Sequence, residues 1–179
     1  VWETANGVIL RVTKLTETSS IVRWSTAEHG IIDTVAKGAR RSNSRFAGKI
    51  DLFFSAELGW QRAKSGRLHY LRECDVADFR EGLRRNYPTT LLAGYCCGLL
   101  DQVSEPEHAQ PELHDLLLRA LNHLQEAGAS LRAMHHYERE LARLHGVGRG
   151  IGDAVIELAE FGAGLPQLRT ELLERLRQT

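Results

Sequence analysis

Cysteine is scarce: three occur in the 179-residue chain, Cys74, Cys96 and Cys97. Adjacent Cys96 and Cys97 do not readily bridge each other, and an odd number suits a reducing compartment. No C-x-x-C spacing is present, which argues against a structural zinc site. Proline is also rare, with four residues, and the chain is 42% hydrophobic and 26% charged, which excludes disorder as its main state. The longest apolar-leaning run, residues 91–100, is far too short to span a bilayer, and no basic-then-apolar leader opens the chain. The expectation is a cytoplasmic soluble protein, long enough for one large or two small domains with real cores. No G-x-S-x-G elbow, P-loop or kinase signature occurs, and no carboxylate–histidine constellation has metal-ligand spacing. The sequence therefore gives no support for catalysis, a cofactor or a metal.

One stretch lacks acid altogether. Between Asp33 and Asp51 there is no carboxylate, while Lys37, Arg40, Arg41, Arg45 and Lys49 supply five cations. Within it, residues 35–48 read VAKGARRSNSRFAG, a strand-like start running into a polar tip with Gly38 and Gly48. Small residues let a polyanion approach the backbone, cations neutralise it, and an aromatic offers a face to a base. The bland alternative is a solvated hairpin tip. The net charge of zero conceals an asymmetry that favours the first reading. Residues 1–85 hold 15 basic and 10 acidic side chains, a net +5, and the remainder holds 8 and 13, a net −5. Such a split between halves is a pointer to nucleic-acid contact.

The first 75 residues read as β-structure. Residues 7–14 alternate, with Val8, Leu10 and Val12 on one face and Ile9, Arg11 and Thr13 on the other. Further strands are expected over residues 20–25, 31–36, 49–58 and 67–74, with Glu28-His29-Gly30 as a tight turn. Five short strands without βαβ units predict a small barrel. From Asp78 the period becomes helical. Pro88 and Pro111 suit helix starts, Gly128 and Gly146 suit helix ends, and leucine-rich stripes fill the intervals. Two shorter helices are expected over 154–161 and 165–176. The resulting architecture is α+β: a five-stranded barrel over residues 1–76, then a helical domain over 77–179 with a glycine connector at 146–152.

Several tempting features have plainer readings. Gly146, Gly148, Gly150 and Gly152 do not match G-x-G-x-x-G and follow a helix, so a connector explains them. His135, His136 and His145 lack metal spacing and read as surface or interface residues. Cys96 and Cys97 pack as small hydrophobes. Glu138, Arg139, Glu140 and Arg143 make ordinary helix-surface pairs. A groove for a partner's apolar tail among the leucine stripes is compatible with this periodicity, which core packing alone also explains.

Residues 7–19, GVILRVTKLTETS, resemble the opening strand and turn of the bacterial recombination mediators of the RecO family. Glu28-His29-Gly30 followed by VAKGARR over 35–41 is similar to that family's most telling signature, and residues 131–146 resemble its arginine- and leucine-rich helix, with His135 and His136 where arginines often stand. The likeness covers roughly residues 4–150. It implies an N-terminal OB-fold that binds single- and double-stranded DNA, and a helical domain. It further implies strand annealing, docking on the C-terminal tail of single-stranded DNA-binding protein (SSB), and partnership with RecR in loading RecA, all without nucleotide hydrolysis and in the bacterial cytoplasm at the nucleoid. Zinc-bearing relatives carry four cysteines after the position of Gly146. None lies beyond Cys97 here, so zinc is expected to be absent, and the tail is expected to be short.

On this reading Lys37, Arg40, Arg41 and Arg45 are phosphate contacts, flanked by Arg11 and Lys14 on the first strand. Phe46 and Trp24 are candidates for base stacking, and both suit a core, Trp24 more so. The competing reading is a non-catalytic adaptor whose OB domain binds a partner protein or the SSB tail rather than DNA, since fold does not fix function.

Overall fold

The computed structural model describes residues 1–147, 158 and 168–178. Five strands, β1 (Trp2–Lys14), β2 (Ser20–Thr26), β3 (Gly30–Ala36), β4 (Ser55–Gln61) and β5 (Leu68–Asp78), close into a barrel of order β1-β2-β3-β5-β4. All neighbours are antiparallel except β3 and β5, which run parallel with Val35 opposite Tyr70. This is the five-stranded OB-fold. Its interior is built on Trp24 and Trp60, both fully buried, with Ile9, Val22, Ile32, Leu58 and Leu71 around them. Each tryptophan removes on the order of 200 Å² from water, roughly 5 kcal/mol of transfer free energy. Trp24 also donates from Nε1 to Thr34 Oγ1 at 2.9 Å, so its polar handle is satisfied inside the barrel.

Two strand expectations are corrected. The alternation along β1 is interrupted by a bulge between Ile9 and Arg11. Ile9 and Val12 therefore point to the interior, whereas Val8 and Leu10 are buried outside the interior cluster. A bulge inserts one residue and flips the face presented after it. The strand expected over 49–58 begins only at Ser55. Residues 49–54 are turns, because Phe53 takes a left-handed φ of 73° and exchanges hydrogen bonds with Ile9 through its own N–H and the carbonyl of Phe54. Phe53 and Phe54 are both buried, so an apolar run that imitates a strand is in fact a plug.

The chain divides into two units: residues 1–80 with 105–111, and residues 81–104 with 112–179. In the first unit, residues 105–111 form a strap on the barrel. Pro106 bridges to Ile31, and Glu107 donates its N–H to the Ile31 carbonyl at 2.9 Å. Gly30, at the start of β3, has φ +65°, and an added Cβ would stand 1.9 Å from the His108 carbonyl oxygen. Only glycine meets both demands.

The second unit opens with a 3₁₀ turn (Glu81–Arg84) and continues as α1 (Tyr87–Val103), α2 (Pro111–Ala127), α3 (Leu131–Leu144) and α4 (Leu168–Leu176). Asn86 caps α1, its side-chain oxygen accepting from Thr89 N–H at 3.0 Å, and Ser130 caps α3 in the same way through Ala133. Gly128 and Gly146 end α2 and α3 with φ of 81° and 74°. Cys96 and Cys97 lie in the core of this unit. Glu138 is buried too, rather than a surface partner: it accepts from Tyr95 Oη at 2.6 Å and Arg169 Nε at 2.9 Å, joining α1, α3 and α4. Burial and the adjacent carboxylate push the Tyr95 hydroxyl far above its ordinary pKa, so it stays a donor. The connector beyond Val147 and the helix expected over 154–161, Leu158 apart, lie outside the described residues.

Candidate nucleic-acid interface

Residues 37–49 leave β3 as a chain of tight turns. N–H groups of Ala39, Arg41, Ser44, Ala47 and Lys49 each reach back to the carbonyl three residues earlier, at 3.0–3.3 Å. Gly38 and Gly48 both take φ of 71°, which a side chain rarely allows. The stack is tied to the barrel by Arg40 N–H to the Thr18 carbonyl at 3.0 Å and Gly38 N–H to Ser19 Oγ at 3.3 Å. A loop this internally bonded presents its cations from a fixed base.

The cations differ in what they already hold. Lys37, Arg40, Arg41 and Arg45 are exposed, and none has a carboxylate partner among the described residues. Lys49 is paired with Asp75 at 2.9 Å, and Lys14 with Glu17. Arg11 is exposed on β1 and lines an outer groove of about 560 Å³ with Arg23, Asp33, Arg67 and Leu68. Arg23 is bonded to Asp33, which offsets its charge.

The stacking candidates fare differently. Phe46 is 3% exposed and belongs to the barrel core, with the Arg45 guanidinium 4.8 Å from its ring centroid. Its ring is not offered to a base. Trp24 is fully buried. Tyr70, which sequence reading passed over, is an exposed aromatic of the barrel, as are Trp2 and Phe79, and it stands beside the basic loop. It is 37% exposed, with Lys37 Nζ 5.0 Å and the Arg72 guanidinium 5.9 Å from its ring centroid. Alternation along β5 gives the signal in part: His69 and Leu71 are buried while Leu68 and Tyr70 face out. Its placement beside Lys37 follows from the parallel pairing of β3 with β5, which no local pattern encodes. Beneath the loop, Cys74 donates to the Lys49 carbonyl, and burial pushes its thiol up to about 11, which keeps it protonated and unreactive.

The other unit has a concavity of its own, about 680 Å³, lying among α1, α2 and α3. Leu92, Leu116, Leu124 and Tyr137 contribute apolar lining, and Arg119, Arg132, Arg139, His123 and His136 contribute basic groups. Among the described residues, no group of three or more His, Cys, Asp or Glu side chains is placed to hold a metal ion, and no helix is long and apolar enough to cross a membrane.

The profile described as Recombination protein O N terminal matches residues 2–80, and that described as Recombination protein O C terminal matches residues 84–148. Among curated proteins, the DNA repair protein RecO of Syntrophotalea carbinolica is 34% identical over 143 residues, 79% of this chain and 55% of its own length. The DNA repair protein RecO of Syntrophus aciditrophicus is 29% identical over 140 residues, 78% of this chain and 54% of its own. That of Salinibacter ruber is 30% identical over 162 residues, 90% of this chain and 62% of its own. The chain thus spans between half and two thirds of the length of these relatives. An OB barrel, a helical unit and two adjoining profile matches that together take in most of the sequence lead to one conclusion: the chain belongs to the RecO family.

Proposed function

We propose that this protein is a non-catalytic DNA-binding recombination mediator in DNA repair, gripping the phosphate backbone through Lys37, Arg40, Arg41 and Arg45, with Arg11 at the edge of the same basic face. The observation that carries this reading is that these four loop cations have no carboxylate partner among the described residues, so a polyanion meets no internal competitor. Contacts of this kind give affinity with little sequence preference, for single and double strands alike. Four such contacts correspond to a salt slope of roughly −3 on single strands. Neutralised strands repel each other less, which favours annealing. Replacing Lys37, Arg40 and Arg41 together and titrating labelled single-stranded DNA at two salt concentrations tests the assignment, and unchanged affinity and slope would overturn it.

The helical unit supports a second contact. Its groove combines an apolar lining with three arginines, and we infer that it takes the acidic C-terminal tail of SSB. A pocket of this size suits a short peptide anchor, and the arginines select an acidic one. Docking on SSB-coated strands would place the basic loop at its substrate, and handover with RecR to RecA completes the mediator role. A pull-down with the tail peptide, comparing the native chain with Arg132→Glu/Arg139→Glu, tests this contact. Tail binding in a chain that shows no DNA affinity would favour the adaptor reading instead.

A further inference from the structure

The outer face of the barrel is ordered in rows. Strand register places Arg11, Arg23, Asp33 and Leu68 side by side, and two residues further along it places Thr13, Ile21, Val35 and Tyr70 side by side. The second row is uncharged across all four strands and ends in the exposed Tyr70 ring. Cations stand on both sides of that ring's position in the fold: Lys37 just beyond β3, and Arg67 in the loop before β5. Lys37 rests over the ring at 5.0 Å. Its flexible stem allows the ammonium to move to a phosphate. Arg72, its guanidinium 5.9 Å from the same ring centroid, is bonded to Gln61 Oε1 at 2.6 Å.

We infer that Tyr70 is a base-stacking platform that makes this face prefer single strands to duplex. The inference rests on the DNA-binding reading above and adds strand selectivity to it. Phosphate contacts are made equally well to either form. A ring face, by contrast, stacks only on a base that has left its own stack, and paired duplex bases have not. The cations therefore set total affinity, and Tyr70 sets the difference between forms. Annealing gains a direction from this: when two held strands pair, the base leaves Tyr70, the grip weakens, and the duplex is released.

The test is a comparison of Tyr70→Ala and Tyr70→Phe with the native chain, using an oligothymidine strand and a blunt duplex of equal length. Tyr70 is exposed, so the alanine variant is expected to keep the native melting temperature, measured in parallel. The expected result is a roughly five- to hundredfold weaker single-strand affinity for Tyr70→Ala, an unchanged duplex affinity, and native behaviour for Tyr70→Phe. Photocrosslinking of an iododeoxyuridine strand should label Tyr70 in the native chain. Equal losses on both forms, or no loss on either, overturn the inference. If Tyr70→Ala is silent while the triple cation variant loses affinity, the selectivity fails and the DNA-binding reading stands. If the native chain binds neither form, both fail.

Discussion

Two basic surfaces of this molecule, the loop on the barrel and the groove of the helical unit, use arginine to opposite effect. On the barrel, Arg40 and Arg41 stand on a ladder of tight turns, with Lys37 against the face of Tyr70. In the helical unit, Arg119 is bonded to Asp115 at 2.8 Å, and it shares its groove with Leu92, Leu116 and Leu124. The first surface is charge on polar backbone, suited to a uniform polyanion. The second is charge around apolar side chains, suited to a ligand that carries both an acid and a hydrophobic anchor. What lies between the cations, rather than their number, decides which partner each surface fits.

The strongest test of this contrast is crossed mutagenesis. Lys37→Ala/Arg40→Ala/Arg41→Ala should weaken single-strand binding by on the order of a hundredfold at about 50 mM salt and flatten the salt slope by about 2, while leaving SSB-tail binding intact. Arg132→Glu/Arg139→Glu should do the reverse. Equal loss of both ligands in either variant would break the division of labour. Next in size is Glu138→Ala. It leaves Arg169 and the Tyr95 hydroxyl facing an apolar gap, and it should lower the stability of the helical unit by about 3 kcal/mol in chemical denaturation. The barrel's transition should not move. The barrel's counterpart is Gly30→Ala, which forces a Cβ into the His108 carbonyl at a left-handed φ and should cost about 2 kcal/mol. Amide exchange should then quicken over residues 105–111.

Acidity should act on both units in the same direction and with the smallest effect. His69 Nε2 lies 3.7 Å from Glu107 Oε1, and burial holds its pKa below the ordinary 6.5. His145 at the end of α3 is held down by burial as well. The folded state keeps both imidazoles neutral, so as pH falls below about 6.5 the unfolded chain takes up protons first and stability declines. The Arg62 guanidinium holds the Glu3 carboxyl below its usual 4.5, so that pair's stabilisation is present above about pH 4.5 and lost as pH falls further. His69→Gln should flatten the decline between pH 6.5 and 5 for the barrel only, read from pH-dependent melting.

The elements carried by local chemistry were legible in the sequence. Turn residues and alternation marked the strands well enough to predict the five-stranded barrel, and Pro88, Pro111, Gly128 and Gly146 marked helix ends. Features created by pairing at a distance were not. The bulge near Leu10, the left-handed Phe53 and the parallel β3–β5 contact all depend on residues far away in the chain. The same division runs through the candidate site. Charge density picked out residues 37–49, whereas the partners of Lys14 and Lys49, the burial of Phe46 and the outward turn of Tyr70 needed coordinates. Phe46 misled because an aromatic beside an arginine looks identical in sequence whether its ring plugs a barrel or faces solvent.

The strap over 105–111 bears on how this protein can be taken apart. Its residues come from between two helices of the other unit, yet Glu107 bonds Arg62 at 3.1 Å and Pro106 extends the edge at Ile31. A chain cut after residue 80 would keep all five strands and still lack a piece of its own barrel. The two units are therefore not interchangeable cassettes. Recombining the barrel with a foreign partner, in the laboratory or in evolution, requires that partner to return a replacement for this segment, or the barrel must refit its surface around Gly30.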